Sequence, residues 1–221
     1  MEKFKKSFAS RIKKERKTIK DGGDVLGSIN AAIHDGKSAY GFTMGSVSLI
    51  QIVESLCKEF DGGFELSTCI WSANKVDILR LKHMQKKGLL KSARFIVDPS
   101  AYTRKYDAIE ALYDSFGQES VRSMPTHAKF VTLKSETRKI TITSSMNFTH
   151  NPRIEQYDVV ECDETLELME GVVDCAFTEY SSEDNFTGQA MTKFNAIKRH
   201  ISQKSNDDLD LDLDIDFDFK L

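Results

Sequence analysis

Two stretches of the sequence decide its interpretation: THAKF at residues 126–130 and TSSMNFT at residues 143–149. Side chains alternate between the two faces of a strand with a period of two, so His127 and Lys129 are predicted to share one face of a strand. An imidazole, an ammonium, small hydroxyl groups and the amide of Asn147 together suit a phosphate ester. This set of groups needs no metal ion.

The two stretches are joined by a predicted β-hairpin. The apolar, β-branched runs at 130–133 and 139–143 predict two strands, and the polar break Ser135-Glu136-Thr137-Arg138 predicts the hairpin tip between them.

This pattern resembles the phospholipase D-like superfamily, whose signature is His-x-Lys, an Asp five residues after the Lys, and then Gly-Ser-x-Asn. Glu155 follows the Asn as in the family. Lys134 stands in the Asp position, Ser144 stands in the Gly position, and the spacing between the two parts is a few residues longer. Glu136 could replace the Asp only if the register of the strand were shifted.

The resemblance implies a mechanism and a site. In the family one His attacks phosphorus and is phosphorylated, while a second His protonates the leaving oxygen. The chain has a single His-x-Lys motif, so an active enzyme would take its second His from another copy across a twofold axis, which predicts a homodimer. The implied catalytic residues are His127, Lys129, Asn147 and Glu155, and the implied phosphate-binding residues are Lys129, Ser145, Asn147 and Arg153.

Two functions from different classes are expected from these residues. The first is a metal-independent phosphodiesterase or nuclease-like domain that acts on or binds nucleic acid, with no cofactor. The alternative is a catalytically inactive, phospholipase D-like protein that binds nucleic acid or serves as a virion-associated interaction protein. The continuation NPRIE at 151–155 resembles short members carried by phages and mobile elements.

Composition narrows the class of protein. The 221 residues are 40% hydrophobic, which suffices for one α/β core, and the net charge is −3. The four cysteines show no metal-binding or disulfide spacing, which favours free thiols in a reducing compartment. No apolar run approaches the length of a membrane span and no secretory signal is evident, so we expect a cytoplasmic protein, in the host cytoplasm or the virion if it is phage-encoded, with no membrane contact.

The two ends of the chain carry opposite charge. Residues 1–20 hold nine Lys and Arg against two Glu, and residues 207–221 hold seven Asp against one Lys. We expect a basic amphipathic helix over 1–23, either a docking helix with a solvated face or a nucleic-acid-binding arm. We expect the acidic, alternating tail over 201–221 to be disordered on its own. Its more specific interpretations are an autoinhibitory mimic of DNA and a peptide that binds a protein partner as an added strand.

Between these ends, residues 24–200 are predicted to form one phospholipase D-like domain. Strands and helices alternate along this part of the chain, which predicts an α/β sandwich with a mixed or parallel sheet. The resemblance implies, more specifically, an α/β/α sandwich with a mixed sheet. Strands are expected at 38–43, 64–71, 93–97 and 156–162, and helices at 25–33, 46–60, 73–87, 106–116 and 164–180.

Overall fold

The computed structural model of the protein describes residues 16–19, 24–150 and 152–185. The acidic tail over 201–221 and most of the predicted basic helix over 1–23 lie outside the described residues. The domain boundaries expected at 23 and 200 therefore stay predictions.

Eight strands of the described chain form one sheet. They are β1 (Arg16–Ile19), β2 (Ser38–Thr43), β3 (Phe64–Ile70), β4 (Leu90–Val97), β5 (Val121–Ser123), β6 (Phe130–Lys134), β7 (Lys139–Ser144) and β8 (Glu155–Glu161). In space they follow the order β1-β2-β8-β7-β6-β3-β4-β5.

The sheet is mixed, as predicted. β1 pairs with β2, β3 with β4, and β4 with β5 in parallel. The pairs β2–β8, β8–β7, β7–β6 and β6–β3 are antiparallel. The predicted hairpin is confirmed, because β6 and β7 are joined by the four residues 135–138.

Helices cover both faces of the sheet. They are α1 (Val25–His34), α2 (Leu49–Leu56), α3 (Lys75–Lys86), α4 (Ser100–Arg104), α5 (Tyr106–Phe116) and α6 (Asp163–Glu179). Asp24, Ser48 and Asn74 fix the starts of the first three, because each side chain accepts a hydrogen bond from the backbone N–H three residues further on.

The main hydrophobic core lies between one face of the sheet and helices α1, α2, α3 and α5. On the other face, α6 packs Val173 and Ala176 against Cys69, Ile96 and Phe130 of the sheet. This arrangement confirms the predicted α/β/α sandwich for the described residues.

A polar clamp also holds α6 against the sheet. Glu170 of α6 accepts hydrogen bonds from Arg94 of β4 and Thr132 of β6. The Arg94 guanidinium also donates to Asp174, one turn further along the helix, at 2.6 Å.

The prediction of a helix over 1–23 is wrong at Arg16–Ile19, which form β1. This segment pairs in parallel with β2, from Arg16 opposite Ser38 to Ile19 opposite Gly41. The edge of β2 supplies backbone hydrogen-bond partners, and the β-branched Thr18 and Ile19 favour a strand, so pairing overrides the helical spacing of apolar residues. The short elements α4 and β5 were not predicted.

Candidate active site

One edge of the sheet brings together strand ends from distant parts of the chain. β3 and β4 end there at Ile70 and Val97, whereas β6 and β8 begin there at Phe130 and Glu155, because β6 runs antiparallel to β3, and β8 runs antiparallel to β7. We call this the site edge. The opposite edge, which holds residues 135–138, is the hairpin edge.

His127 and Lys129 lie together at the site edge, but just before β6 and not on it, which corrects the prediction that both occupy a strand. The Lys129 ammonium nitrogen is 3.0 Å from the His127 carbonyl oxygen and 3.5 Å from Nδ1 of its ring. His127 is exposed and Lys129 is partly buried.

The segment leaves strand geometry because side chains take its backbone donors. Asp98, which follows β4, accepts a hydrogen bond from the Thr126 N–H at 3.1 Å. The Thr126 hydroxyl oxygen accepts one from the Ala128 N–H at 3.2 Å and lies 3.1 Å from the thiol of Cys69. Asp98 and Thr126 therefore set the position of His127, a role that the sequence did not reveal.

Asn147 lies where its amide can act as a donor. Its Oδ1 accepts hydrogen bonds from the backbone N–H groups of Trp71 at 3.0 Å and Ser72 at 3.1 Å. These two contacts fix which end of the amide is oxygen. No hydrogen bond from the Asn147 NH₂ group to another described residue is present, so this donor remains for a ligand.

Ser145 and Glu155 form a pair beside Asn147. The Ser145 hydroxyl donates to the Glu155 carboxylate and accepts from the Gln156 N–H at 2.9 Å. The Ser145 hydroxyl thus uses its hydrogen as a donor to Glu155, and this hydrogen bond orients the carboxylate at the start of β8.

The charges of this group are coupled. Burial lowers the pKa of the Lys129 ammonium below its usual range, while the nearby Glu155 and Cys69 act in the opposite direction. Burial also raises the pKa of the Cys69 thiol to about 11. This thiol is therefore protonated at neutral pH and does not compete with His127 as a nucleophile.

Two other motif positions are placed differently. Arg153 is exposed in the loop before β8, and no hydrogen bond or ion pair joins it to another residue of the described ranges. Lys134, in the family's Asp position, ends β6 at the hairpin edge, about 17 Å along the chain from Lys129. Glu136 lies in the hairpin tip, so the observed register does not bring it to the site edge.

Trp71 and Arg104 are further residues of the site edge that the sequence analysis missed. The guanidinium carbon of Arg104 lies 4.9 Å from the centre of the Trp71 ring. The Trp71 ring is in turn 6.4 Å from the His127 ring. The chain places Trp71 after β3 and Arg104 at the end of α4, so only the fold shows that they are neighbours.

No metal-binding cluster lies in the part of the chain that the structure describes. No group of three or more His, Cys, Asp or Glu side chains there is arranged to hold a metal ion. Among the helices of the described ranges, none has the length and apolar character needed to cross a membrane.

No family model matches the chain, and no curated protein matches it in sequence. Solved structures similar to it include Nuc from Salmonella typhimurium, a phospholipase D family member, at 13% identity and a TM-score of 0.48, covering 66% of this chain and 96% of that one. NucT from Helicobacter pylori is 13% identical, with a TM-score of 0.49 and coverage of 65% and 98%.

A polyphosphate kinase from Porphyromonas gingivalis is similar as well, at 12% identity and a TM-score of 0.48, but only 27% of its chain is covered. At these TM-scores and identities, the likeness carries no conclusion about activity.

Proposed function

We propose that the protein is a metal-independent phosphodiesterase of the nuclease type, which acts on nucleic acid through a phosphohistidine at His127. The observation that carries the proposal is the grouping of three groups at one edge of the sheet. They are the exposed imidazole of His127, the Lys129 ammonium, and the NH₂ group of Asn147, which donates no hydrogen bond to another described residue.

The reaction needs a nucleophile and a second group that transfers protons. A ring nitrogen of His127 forms a bond to phosphorus, and the bond from phosphorus to the leaving nucleotide oxygen breaks with its electron pair. A second imidazole gives a proton to that oxygen. Water then breaks the nitrogen–phosphorus bond, its proton passes back to the second imidazole, and a phosphate monoester is released.

The contact of Lys129 with Nδ1 limits when this step can occur. The other ring nitrogen, Nε2, attacks only when the ring proton is on Nδ1, and an ammonium cannot accept a hydrogen bond from that proton. Phosphate binding resolves the conflict, because an anion between the two groups attracts the ammonium away from the ring. Lys129 and the Asn147 amide would then hold the phosphate oxygens, with Arg153 as a third donor.

The second imidazole is proposed to come from another copy of the chain. The sequence contains one His-x-Lys motif, so a twofold axis through the site edge would supply a second His127 to the same phosphate. Light scattering at micromolar concentration should give the mass of a dimer. A single-chain mass together with full nuclease activity would contradict the shared site.

The decisive experiment is cleavage of an oligonucleotide, and of bis(4-nitrophenyl) phosphate, in excess EDTA. Cleavage should persist in the chelator and vanish in His127→Ala, since the nucleophile is an imidazole and not a metal-activated water. His83→Ala is the matched control, because His83 is exposed on α3. A requirement for added magnesium would overturn the proposal.

The inactive alternative is favoured by the same 3.5 Å contact between Lys129 and Nδ1, which disfavours the reactive tautomer of His127. A protein of this kind would bind nucleic acid at the site edge without cleaving it. Retained oligonucleotide binding with no cleavage of either substrate, at any oligomeric state, would decide for this function.

A further inference from the structure

The segment that follows β4 is exposed beside the candidate active site. After Asp98 the chain forms α4 and enters α5, and every residue over 102–107 is exposed. Asp98 holds the Thr126 N–H, so this segment begins where the position of His127 is set. The segment is therefore part of the site edge.

Two pairs of flat side chains lie in this region. Tyr102 and Tyr106 meet edge to face, with ring centres 5.2 Å apart. Arg104, between them in sequence, stacks on Trp71. We call Trp71, Tyr102, Arg104 and Tyr106 the aromatic platform.

The exposure of the two tyrosines has no explanation in the packing of the core. Tyr106 is 55% exposed and Tyr102 is 38% exposed, while Ala108 and Ile109 in the next turn of α5 are buried. Scattered exposed aromatic residues are common on protein surfaces. Here Tyr102 and Tyr106 are paired on the segment that carries Arg104, and Arg104 stacks on Trp71, whose ring lies 6.4 Å from the ring of His127.

The charges of the segment suit a polyanion. Arg104 and Lys105 are exposed, and neither forms an ion pair with an acidic residue of the described ranges. Arg104 stacks on a ring, which leaves the edge of its guanidinium free to meet a phosphate. Planar groups next to free cations are the two components of surfaces that bind single-stranded nucleic acid.

We propose that the aromatic platform stacks the unpaired bases next to the phosphate held at His127, so that the site selects single-stranded nucleic acid. This inference rests on the proposed function for the identity of the bound phosphate. A duplex stacks its own bases on each other and presents only their edges, so it has no faces to offer to Trp71, Arg104 or Tyr106.

Binding, and not cleavage, is the measurement that tests the platform. Fluorescence anisotropy in the His127→Ala background removes the nucleophile and compares three fluorescent probes of equal length: a single strand, its duplex, and a strand of abasic sites. The single strand should bind about fivefold or more tighter than the abasic strand, which keeps the phosphates and lacks the bases. Equal affinity for these two probes would overturn the proposal.

Substitutions locate the effect. Tyr106→Ala should weaken the single strand by about fivefold or more and leave the duplex unchanged, whereas Tyr106→Phe keeps the ring and should bind as before. Arg104→Lys keeps the charge and loses the plane, so it should also weaken only the single strand. Leu79→Ala, which removes an exposed apolar side chain of α3, is the control and should change neither.

The remaining outcomes are decisive as well. Equal loss for single strand and duplex in Tyr106→Ala would mean that the residue only supports the phosphate contacts, which overturns the platform. A change of mass in light scattering with unchanged affinities would show that the platform is an interface between copies of the chain. Base-dependent binding in a protein that cleaves nothing would uphold the platform while the proposed phosphodiesterase fails.

Discussion

The basic side chains at the two edges of the sheet have different partners. At the hairpin edge, Arg138 donates to Glu161 at 2.9 Å and to Glu59 at 2.6 Å, and Lys139 donates to Asp163 at 2.9 Å. At the site edge, the Lys129 ammonium donates to a carbonyl oxygen, and Arg104 stacks on an indole.

This difference indicates which edge has cations available for a ligand. Paired charges at the hairpin edge satisfy each other, so they connect α1, the 3₁₀ turn after α2, and the strands, and they have little left for a ligand. Lys129, Arg104 and Arg153, in contrast, form no ion pair in the part of the chain that the structure describes. The paired charges of one edge therefore contribute to stability, and the other edge is the one that we propose binds an anion.

The largest effect should come from removing the proposed nucleophile. His127→Ala is expected to lower the rate of phosphodiester cleavage by about a thousandfold or more, as loss of a covalent nucleophile does. Because the ring is exposed, the thermal unfolding midpoint should stay within about 1 °C of the parent protein. Comparable activity in the variant would show that the two edges do not differ in function as proposed.

Asp98→Ala should lower the cleavage rate by about ten- to a hundredfold through the position of His127. The change removes the acceptor of the Thr126 N–H and of the Ser100 N–H, so the segment before β6 loses its anchor. The signature of a positioning role is a fall in kcat with a smaller change in KM. Asp98→Asn, which keeps an oxygen acceptor, should recover part of the rate, and a variant with unaltered kcat would remove Asp98 from the site.

Arg138→Ala tests the other edge. It leaves Glu59 and Glu161, both largely buried, without their cation, and should lower the free energy of unfolding by about 1–3 kcal/mol. Chemical denaturation measures the loss, and activity per folded molecule should be preserved. Lys134→Ala is a comparison at an exposed cation of the same edge. A loss of activity without a loss of stability would contradict the division between the edges.

The lowered pKa of Lys129 leads us to expect that the affinity for the phosphate group falls at alkaline pH. Its pKa is lowered by burial, and phosphate binding requires the charged form, so affinity is present at neutral pH and is lost as the pH rises through this lowered pKa. The loss should begin below pH ~10.4, the usual value for a lysine. The dependence of KM on pH measures it, and Lys129→Arg should remove the alkaline decline, because Arg stays charged. An identical decline in both proteins would exclude Lys129 as its source.

The smallest effect concerns the acidic tail, which lies outside the described residues. Deletion of Asp207–Leu221 should raise the affinity for nucleic acid by a few-fold at low salt and by less at high salt, if the tail competes for the cations of the site edge. The rival interpretation is that its apolar side chains dock on a protein partner. In that case the deletion leaves the affinity for nucleic acid unchanged at both salt concentrations and abolishes the partner interaction.

The sequence by itself determined the elements whose pattern is local. The spacing of apolar residues, and the hydroxyl and glycine residues that interrupt it, are such local patterns. They predicted β2 at Ser38–Thr43, α5 at Tyr106–Phe116 and the hairpin tip at 135–138, and the structure has them there. These succeeded because side-chain periodicity and turn chemistry act within a few residues. The motif also predicted that His127 and Lys129 lie together, which needs only two residues of chain.

Only the tertiary structure decided the contacts between distant segments. Asp98 meets Thr126 across 28 positions and Asn147 meets Trp71 across 76, while Arg104 reaches Trp71 from a helix that the sequence did not predict. No local periodicity records such pairs, because they arise when parallel and antiparallel strands end at one edge. The same long-range pairing turned Arg16–Ile19 into a strand against its helical pattern, since the backbone gains its hydrogen bonds from β2.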